Sequence, residues 1–476
     1  MGVTSRLADF VATTRYEDIP DDVIAVTKRL VLDTIGNLAG GHMATSAKLA
    51  VKTALQLGGV PESTVLLTGV KTSAPLATFA NISLASALES DDSILNVGHI
   101  AHCAFFPALA LAERDNRSGR DLLAATALAY EFGARIARAG RSMVRKPDGK
   151  LFFGNTGVGS HWANLPVAAS AARMLRLDGQ QTASTFGIAG YTSNIPTGRR
   201  WNRPNLSHQK YQDYALAAQS AVIGALLSAN GYRGDGQIFD GEARDTMANW
   251  WIMAGWPASD PGRAIDGLGD EWVIRKAGFK PYPSCRFTHG SLDRFGMLLS
   301  DHDIHADEIE KIDIYAPRTV STFRLHLANV ESEGDAEFSM PHVMAMTALG
   351  VPAGPQWVAP RYWHDPAVVR LRSRVECHVW EEANASIIEQ ILAGDFVNFP
   401  TRVVVHARGS SFEAEGLFAM GDHDLPETRY GDEEVVAKFR SYTDQALASV
   451  NVERCIETVM TLDKVRHVAE LVGFIY

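Results

Sequence analysis

Residues 1–272 are dominated by segments in which apolar side chains recur every three or four positions, the spacing of one face of an α-helix. In one of them Val23, Val26 and Leu30 follow an acidic first turn, and the segment stops at Gly40 and Gly41. Similar alanine-rich segments, which favour close helix packing, lie at 43–57, 75–90, 104–113, 119–138, 162–176 and 213–230. The pattern predicts a large all-helical domain over 1–272.

The pattern of apolar and polar residues changes after the tryptophan-rich stretch 250–272. Apolar and polar residues alternate over 308–315, 368–376 and 401–407, which predicts half-buried strands. Helical spacing over 289–301 and 336–349 separates these strands, and it returns over 432–450 and 455–471. The predicted fold is therefore mainly α, with a smaller α+β domain inserted over 273–415 and C-terminal helices over 416–476 that return to the helical domain.

Composition excludes several classes of partner. The 476 residues carry a formal net charge of −10 and give a pI near 5.8, which argues against nucleic acid or an anionic membrane surface as the main partner. The cysteines are Cys103, Cys285, Cys377 and Cys455, and their scattered positions favour free thiols in a reducing compartment over a disulfide framework. No apolar run is long enough to cross a membrane, and we expect a cytoplasmic protein. A small anionic ligand remains compatible with this composition.

A first candidate site is the acidic stretch 89–102, ESDDSILNVGHIAH. Its three carboxylates repel one another and need cationic partners. One alternative is a solvated helix end with a loop histidine. A second is a metal site at His99-x-x-His102-Cys103, but no other pair with ligand-like spacing accompanies it, and we predict no metal.

A second candidate is 280–289, KPYPSCRFTH. Two prolines one residue apart oppose a regular helix and push the residues before them toward extended geometry. We expect a stiff, extended loop that presents Arg286, Thr288 and His289 rather than a core segment. The alternative is a connector between domains with solvated side chains.

Two further stretches could bind an anion. Residues 154–161, GNTGVGSH, lack the Gly-Lys-Ser/Thr that grips phosphates, although backbone amides near a helix start could hold a carboxylate. Residues 197–214 contain five basic or histidine side chains, of which Lys210 is expected to point inward at the entry to an apolar helix. Nucleotide, metalloprotease and hydrolase signatures are absent from the sequence. Histidines, a lysine and carboxylates together suit proton transfer on an anionic substrate without a cofactor.

Several blocks in order give the chain a resemblance to the MmgE/PrpD family, which includes 2-methylcitrate dehydratase, cis-aconitate decarboxylase and iminodisuccinate epimerase. These blocks include LADFVATTRYEDIPDDVIAVTKRLVLDTIGNLAGG, ALESDD with GH, SHWANLPVAASAARMLRL, LSHQKYQDYALAA, KPYPSCRFTH, EFSMPHVMA and GDEEVVAKF. The resemblance covers essentially the whole chain. It implies a helical domain with an α+β lid and a homodimer.

The resemblance also implies roles for particular residues. His99 and His289 would be the acid and base, with Glu89 and Asp92 orienting the imidazoles. Substrate carboxylates would be held by His161, Lys210, Arg286, Ser93 and Lys280. The chain departs from the usual Asp-x-Asp-Asp-Thr and His-Pro pattern, with Glu89 at the first Asp, Ser93 at the Thr and Ile100 after His99. The substrate therefore cannot be inherited from any one member.

The leading hypothesis is a cofactor-independent lyase that removes water from a hydroxylated di- or tricarboxylate such as a 2-methylcitrate-like compound. The same proton abstraction could instead end in epimerisation of an amino-dicarboxylate or decarboxylation of a cis-aconitate-like substrate. A different class is a non-catalytic anion-binding protein that kept the fold.

Overall fold

The structure is a computed structural model that describes residues 2–95, 97–154, 163–193, 208, 212–241, 254–255 and 257–476. Its first part consists of helices joined by short loops and two small hairpins. The helices are α1 (Val3–Thr13), α2 (Asp21–Gly41), α3 (Thr45–Leu57), α4 (Ala74–Ala85), α5 (Ala101–Arg114), α6 (Gly119–Ala139), α7 (Asn164–Met174), α8 (Gly179–Tyr191) and α9 (Gln212–Ala229). The hairpins pair β1 (Ser63–Val65) with β2 (Val70–Thr72) and β3 (Met143–Arg145) with β4 (Leu151–Phe153).

Small side chains let these helices pack closely, as predicted. Helix α5 is buried along its whole length from Ala101 to Ala112, and it packs between α4, α6 and α7. Helix α2 is likewise buried from Leu30 to Gly41. Alanine and glycine at the crossings bring the backbones together, since larger side chains would hold the axes apart.

The second part forms a four-stranded sheet with helices. Its elements are α10 (His289–Asp301), β5 (Ile309–Ala316), α11 (Thr319–Thr322), α12 (Glu333–Glu337), α13 (Met340–Ala348), α14 (Pro366–Arg372), β6 (Val375–Val379), α15 (Glu381–Ala393), β7 (Thr401–Ala407) and β8 (Ser410–Gly416). The strand order is β6-β5-β7-β8, with β5 and β6 parallel and the other pairs antiparallel. The mainly α fold with a smaller α+β part is confirmed.

The predicted strand over 368–376 is wrong over 368–374, and only its last two residues lie in a strand. Pro366 starts helix α14, where the Asp365 side chain accepts hydrogen bonds from the amides of Ala367 and Val368. Asp before Pro is a strong helix N-terminus, and over so few residues the alternation of apolar and polar side chains also fits one helix face. The strand begins only at Val375.

The C-terminal helices are α16 (Asp432–Thr443), α17 (Ser449–Met460) and α18 (Ala469–Val472). Helix α16 packs against α2 of the first part. A Cβ at Gly36 would lie 3.3 Å from the Phe439 ring, so the absent side chain permits this close approach. The end of the chain thus returns to the helical part, while the predicted domain boundaries stay a prediction. None of the described helices is long and apolar enough to span a bilayer.

The 280–289 segment is part of the core, which contradicts both the stiff, extended loop predicted from its prolines and the alternative of a connector with solvated side chains. Lys280 and His289 are completely buried, and a short 3₁₀ turn, Arg286–Thr288, leads directly into α10 at His289. The backbone before it is held on two sides, because Gly278 pairs with Ser93 and the Phe279 amide donates to the Gly421 carbonyl. A Cβ at Gly421 would lie 1.8 Å from the Phe279 carbonyl oxygen, so only glycine fits there.

Candidate active site

The acidic stretch lies between the end of α4 and the start of α5 and is buried. Asp92 closes the N-terminus of α5, where its carboxylate accepts hydrogen bonds from the backbone amides of Ile100 (3.3 Å) and Ala101 (3.0 Å). The hydroxyl of Tyr130, on α6, donates to the same carboxylate at 2.8 Å. Helix starts supply unpaired amides, so an acid at this position is held rigidly.

Lys280 supplies the cation that the acidic stretch requires. Its Nζ lies 2.9 Å from Glu89 Oε1 and 3.4 Å from Asp91 Oδ1, and it also donates to the Glu89 carbonyl. Burial works against the ammonium, but Glu89 and Asp91 outweigh it and raise the pKa of Lys280 above its usual value. The interpretation of this stretch as a solvated helix end is therefore wrong.

His99 lies against this charge cluster. Its Nδ1 is 2.6 Å from the Asp92 carbonyl oxygen and 3.3 Å from Asp91 Oδ1, and its Nε2 is 3.7 Å from Glu89 Oε1. A carbonyl oxygen can only accept, so Nδ1 carries the hydrogen in the neutral ring. Nε2 is then the nitrogen that takes up a proton, and Glu89 stands where it stabilises the resulting imidazolium.

Two further groups of the stretch have shifted pKa values. Burial, with help from the charge of Asp91, raises the pKa of Asp92 to about 6. Burial lowers the pKa of His102 to about 4, although Asp91 opposes the shift. Such opposed shifts in one small region are typical of sites that move protons.

His289 and Arg286 both have hydrogen-bond partners within the protein. The Nε2 of His289 donates to the Ser284 carbonyl (3.0 Å), and its Nδ1 accepts from Arg286 (3.1 Å). Burial and the charge of Arg286 lower the pKa of His289 well below its usual value. Arg286 forms a short ion pair with Asp422 and donates to the Met420 carbonyl. Proton exchange with a substrate would require His289 to leave these partners.

A cleft that is partly open to solvent lies beside the segments that carry the cluster. Ser93 and Gly278 line it, and these residues are the sequence neighbours of Asp92 and of the Lys280 segment. Its cations are partly committed to protein groups, since Arg141 donates to the Leu392 carbonyl at the end of α15. Arg138, Arg141, Arg263 and Lys276 line the cleft, whereas the cluster residues themselves do not.

The predicted residues thus fall into three groups. Glu89, Asp92, His99 and Lys280 come together, Ser93 lines the adjoining cleft, and Arg286 and His289 form a separate pair. His161 and Lys210 lie outside the described residues.

Sequence reasoning missed five contributors to the site. They are Asp91, which touches Lys280 and His99; Tyr130 on Asp92; Glu337, whose carboxylate accepts from the Glu89 amide; Lys438, which pairs with Asp33 and donates to the Ser90 carbonyl; and Asp422 on Arg286. Two signals were available, because Glu337 lies in EFSMPHVMA and Lys438 lies in GDEEVVAKF. Their targets are more than 240 residues away in sequence, so spacing could not reveal them.

Asp91, Asp92 and His102 have ligand atoms close enough to one another for a metal ion. Neither ring nitrogen of His102 has a hydrogen-bond partner in the described part of the chain. Against a metal, Lys280 is completely buried, so it cannot turn away to solvent, and it places its positive charge 3.4 Å from Asp91. Asp92 already accepts hydrogen bonds from two amides and from Tyr130. These contacts fit an ammonium-neutralised acid cluster better than a divalent ion.

Comparison with known proteins identifies the family of the chain. The profile of the MmgE/PrpD N-terminal domain matches residues 5–250, and that of the MmgE/PrpD C-terminal domain matches residues 282–464. A cis-aconitate decarboxylase-like protein, oryM, of Aspergillus oryzae is 25% identical over 62% of this chain and 61% of its own length. A cis-aconitate decarboxylase of Aspergillus terreus is 24% identical over 61% of this chain and 59% of its own length. The match thus spans about three fifths of these relatives. Both parts of the chain carry the family's sequence pattern, and this protein belongs to the MmgE/PrpD family.

Proposed function

We propose that this chain is a lyase that transfers a proton at a carbon next to a carboxylate of a di- or tricarboxylate, without a cofactor. The observation that carries the proposal is the buried contact of His99 with the Glu89, Asp91 and Lys280 cluster. A proton leaving such a carbon builds negative charge on an already anionic molecule. A fixed ammonium beside a basic imidazole reduces that penalty.

In this proposal each residue of the cluster has one task. His99 exchanges the proton through Nε2, because Nδ1 is held by the Asp92 carbonyl. Glu89 stabilises the protonated ring from 3.7 Å. Lys280 pairs with the carboxylates of Glu89 and Asp91 and holds them in place beside the imidazole. Ser93 faces the substrate from the cleft wall.

The outcome after proton transfer divides the proposal into two candidates. Dehydration is the outcome favoured by the family resemblance, and it needs a general acid for the departing hydroxyl. Decarboxylation is favoured by the names of the relatives from the two Aspergillus species. It needs one proton donor for the carbanion that remains after carbon dioxide leaves, and His99 is the residue assigned to that task here. Epimerisation needs a second base on the opposite face, and the described imidazole closest to that task, His289, is engaged at both nitrogens.

Deuterium exchange tests the proposal. The protein is incubated in deuterated water with citrate, 2-methylcitrate and cis-aconitate, and label at carbon, new double bonds and released carbon dioxide are followed by NMR and mass spectrometry. We expect label and one of the two eliminations with the wild type. We expect at least a 100-fold slower reaction with His99→Gln, in the range of general acid-base contributions.

His305→Gln is the matched control, because its side chain is 71% exposed and lies in the α+β part. It should react like the wild type. Full exchange with His99→Gln would refute the assigned role. Tight binding of a tricarboxylate by calorimetry without any exchange would replace the lyase with a non-catalytic anion-binding protein.

A further inference from the structure

A second cluster of titratable side chains lies on the four-stranded sheet, away from His99. Alternation along β7 buries Val403 and Val405, which leaves Arg402 and His406 on the opposite, half-exposed face. On that face the register sets Asp313 beside Glu376 on the parallel neighbour β6. Adjacent strands therefore fix the positions of the polar groups, as a rigid sheet does for side chains in register.

The cluster is centred on the carboxylate of Asp313, whose side chain is only 8% exposed. Its Oδ1 lies 2.6 Å from His378 Nε2, and its Oδ2 lies 3.0 Å from His406 Nε2. Glu376 Oε2 lies 3.9 Å from the same His378 nitrogen. The donor atoms of Asp313, Glu376 and His378 all lie within 4.8 Å of one another.

These distances suit a metal ion. Bonds of about 2.0–2.2 Å from zinc to imidazole nitrogen and carboxylate oxygen put neighbouring donor atoms about 3.3 Å apart in a tetrahedral site. Pairs now at 2.6 and 3.9 Å reach that separation by small side-chain rotations. One imidazole with two carboxylates is a donor set for divalent transition metals, and zinc is its commonest example.

The surrounding groups orient the donors. The ring of His378 stacks on Tyr315, with centroids 4.8 Å apart. The Nδ1 of His406 lies 2.9 Å from the Ser411 hydroxyl, so its Nε2 is aimed at Asp313. Outer partners of this kind fix the direction of a ligating carboxylate in metal sites.

Lys311 lies at the place where a metal would bind. Its Nζ is 3.0 Å from Asp313 and 2.9 Å from Glu376, so its single positive charge balances one of the two negative charges of these carboxylates. Its side chain is 41% exposed and can turn toward solvent. A divalent ion offers twice the charge at the same point.

We propose that Asp313, Glu376 and His378 bind a divalent transition-metal ion of the zinc class, with His406 orienting Asp313 and Lys311 competing with the metal. This site is separate from the proposed lyase site. Removal of the Lys311 ammonium should strengthen metal binding. If the cluster were only an ion-pair network, the same change would not produce a metal site.

The test is a titration of the chelator-stripped protein with Zn²⁺ against a chromogenic competitor at pH 7.5. We expect one equivalent at this site and at least tenfold tighter binding with Lys311→Met. Binding should weaken at least 100-fold with His378→Gln and 10- to 100-fold with His406→Gln, the usual range for ligand and outer-partner losses. Co²⁺ should give the visible absorption of a tetrahedral ion in the wild type and lose it in His378→Gln.

His102→Gln serves as the matched control, since it removes a possible ligand of the other cluster and should leave Zn²⁺ binding unchanged. Glu376→Gln is a second ligand variant, and its side chain is 58% exposed, so the fold tolerates the change. Binding that is absent in the wild type, or that is unaffected by Glu376→Gln and Lys311→Met, would overturn the proposal.

Discussion

Replacement of Lys280 by methionine should destabilise the protein strongly, and the effect should depend on pH. At an effective dielectric constant of about 20, the pairs at 2.9 and 3.4 Å are each worth about 5 kcal/mol of Coulomb attraction. The cost of burying three charged groups cancels much of this attraction. Breaking a buried pair leaves the carboxylates of Glu89 and Asp91 uncompensated, for which a loss of about 3–5 kcal/mol is usual.

The loss can be expressed as a melting temperature. Unfolding entropy of about 2.1 cal/mol/K per residue gives about 1 kcal/mol/K for 476 residues that unfold together. Lys280→Met should therefore lower Tm by about 3–5 °C at pH 7.5. The two stranded carboxylates can lose their charge only by taking up protons, so the stability deficit should shrink as the pH is lowered to 5.

Differential scanning calorimetry at pH 5 and 7.5 measures both effects. Glu89→Gln combined with Lys280→Met is the matched control, because it removes one of the stranded charges and should recover part of the lost Tm at pH 7.5. An unchanged Tm in Lys280→Met, or a deficit that grows toward pH 5, would refute the buried ion-pair account.

Three further predictions concern neighbouring groups. The pKa of Asp92 is about 6 in the folded state against an ordinary value of 3.8, so its ionisation should lower the free energy of unfolding by about 3 kcal/mol as the pH rises from 4 to above 6. Asp92→Asn should remove this pH dependence from unfolding free energies measured in urea. An unchanged pH dependence would contradict the prediction. The pKa of His102 is about 4 in the folded state against an ordinary value of 6.5, so the protein should lose stability as the pH falls from 6.5 to 4. His102→Phe should reduce this loss in the same urea unfolding experiment. An equal loss in the variant would count against the burial of His102 as a neutral ring. Asp422→Asn leaves Arg286 buried beside a neutral group and should lower the free energy of unfolding, measured in urea, by about 3–5 kcal/mol. Asp424→Asn changes an exposed residue close by in the sequence and should lower it by less than about 1 kcal/mol. Equal effects of these two variants would argue against a buried ion pair.

Much of the fold could be predicted from the sequence. Helix α2 was predicted from its acidic first turn and its glycine stop, and the structure confirms it over Asp21–Gly41. Strand β7 was predicted over 401–407 and runs over Thr401–Ala407. Both elements carry a periodic apolar face over many residues, and such faces are local properties of the chain. The strand predicted at 368–376 failed because Asp365 and Pro366 start a helix within a short apolar run.

The candidate site was predicted only as a set of residues. The sequence by itself marked Glu89, Asp92, His99 and Lys280 as chemically unusual, because charged and imidazole groups are crowded into short segments. Only the tertiary structure decided that Lys280, about 190 residues away, neutralises the acidic stretch. It also decided that His289 is held at both nitrogens, while His99 lies against the carboxylates of Glu89 and Asp91. The physical reason is burial: the energy of a charge depends on which partners and how much water surround it, and that environment is assembled from segments far apart in the chain.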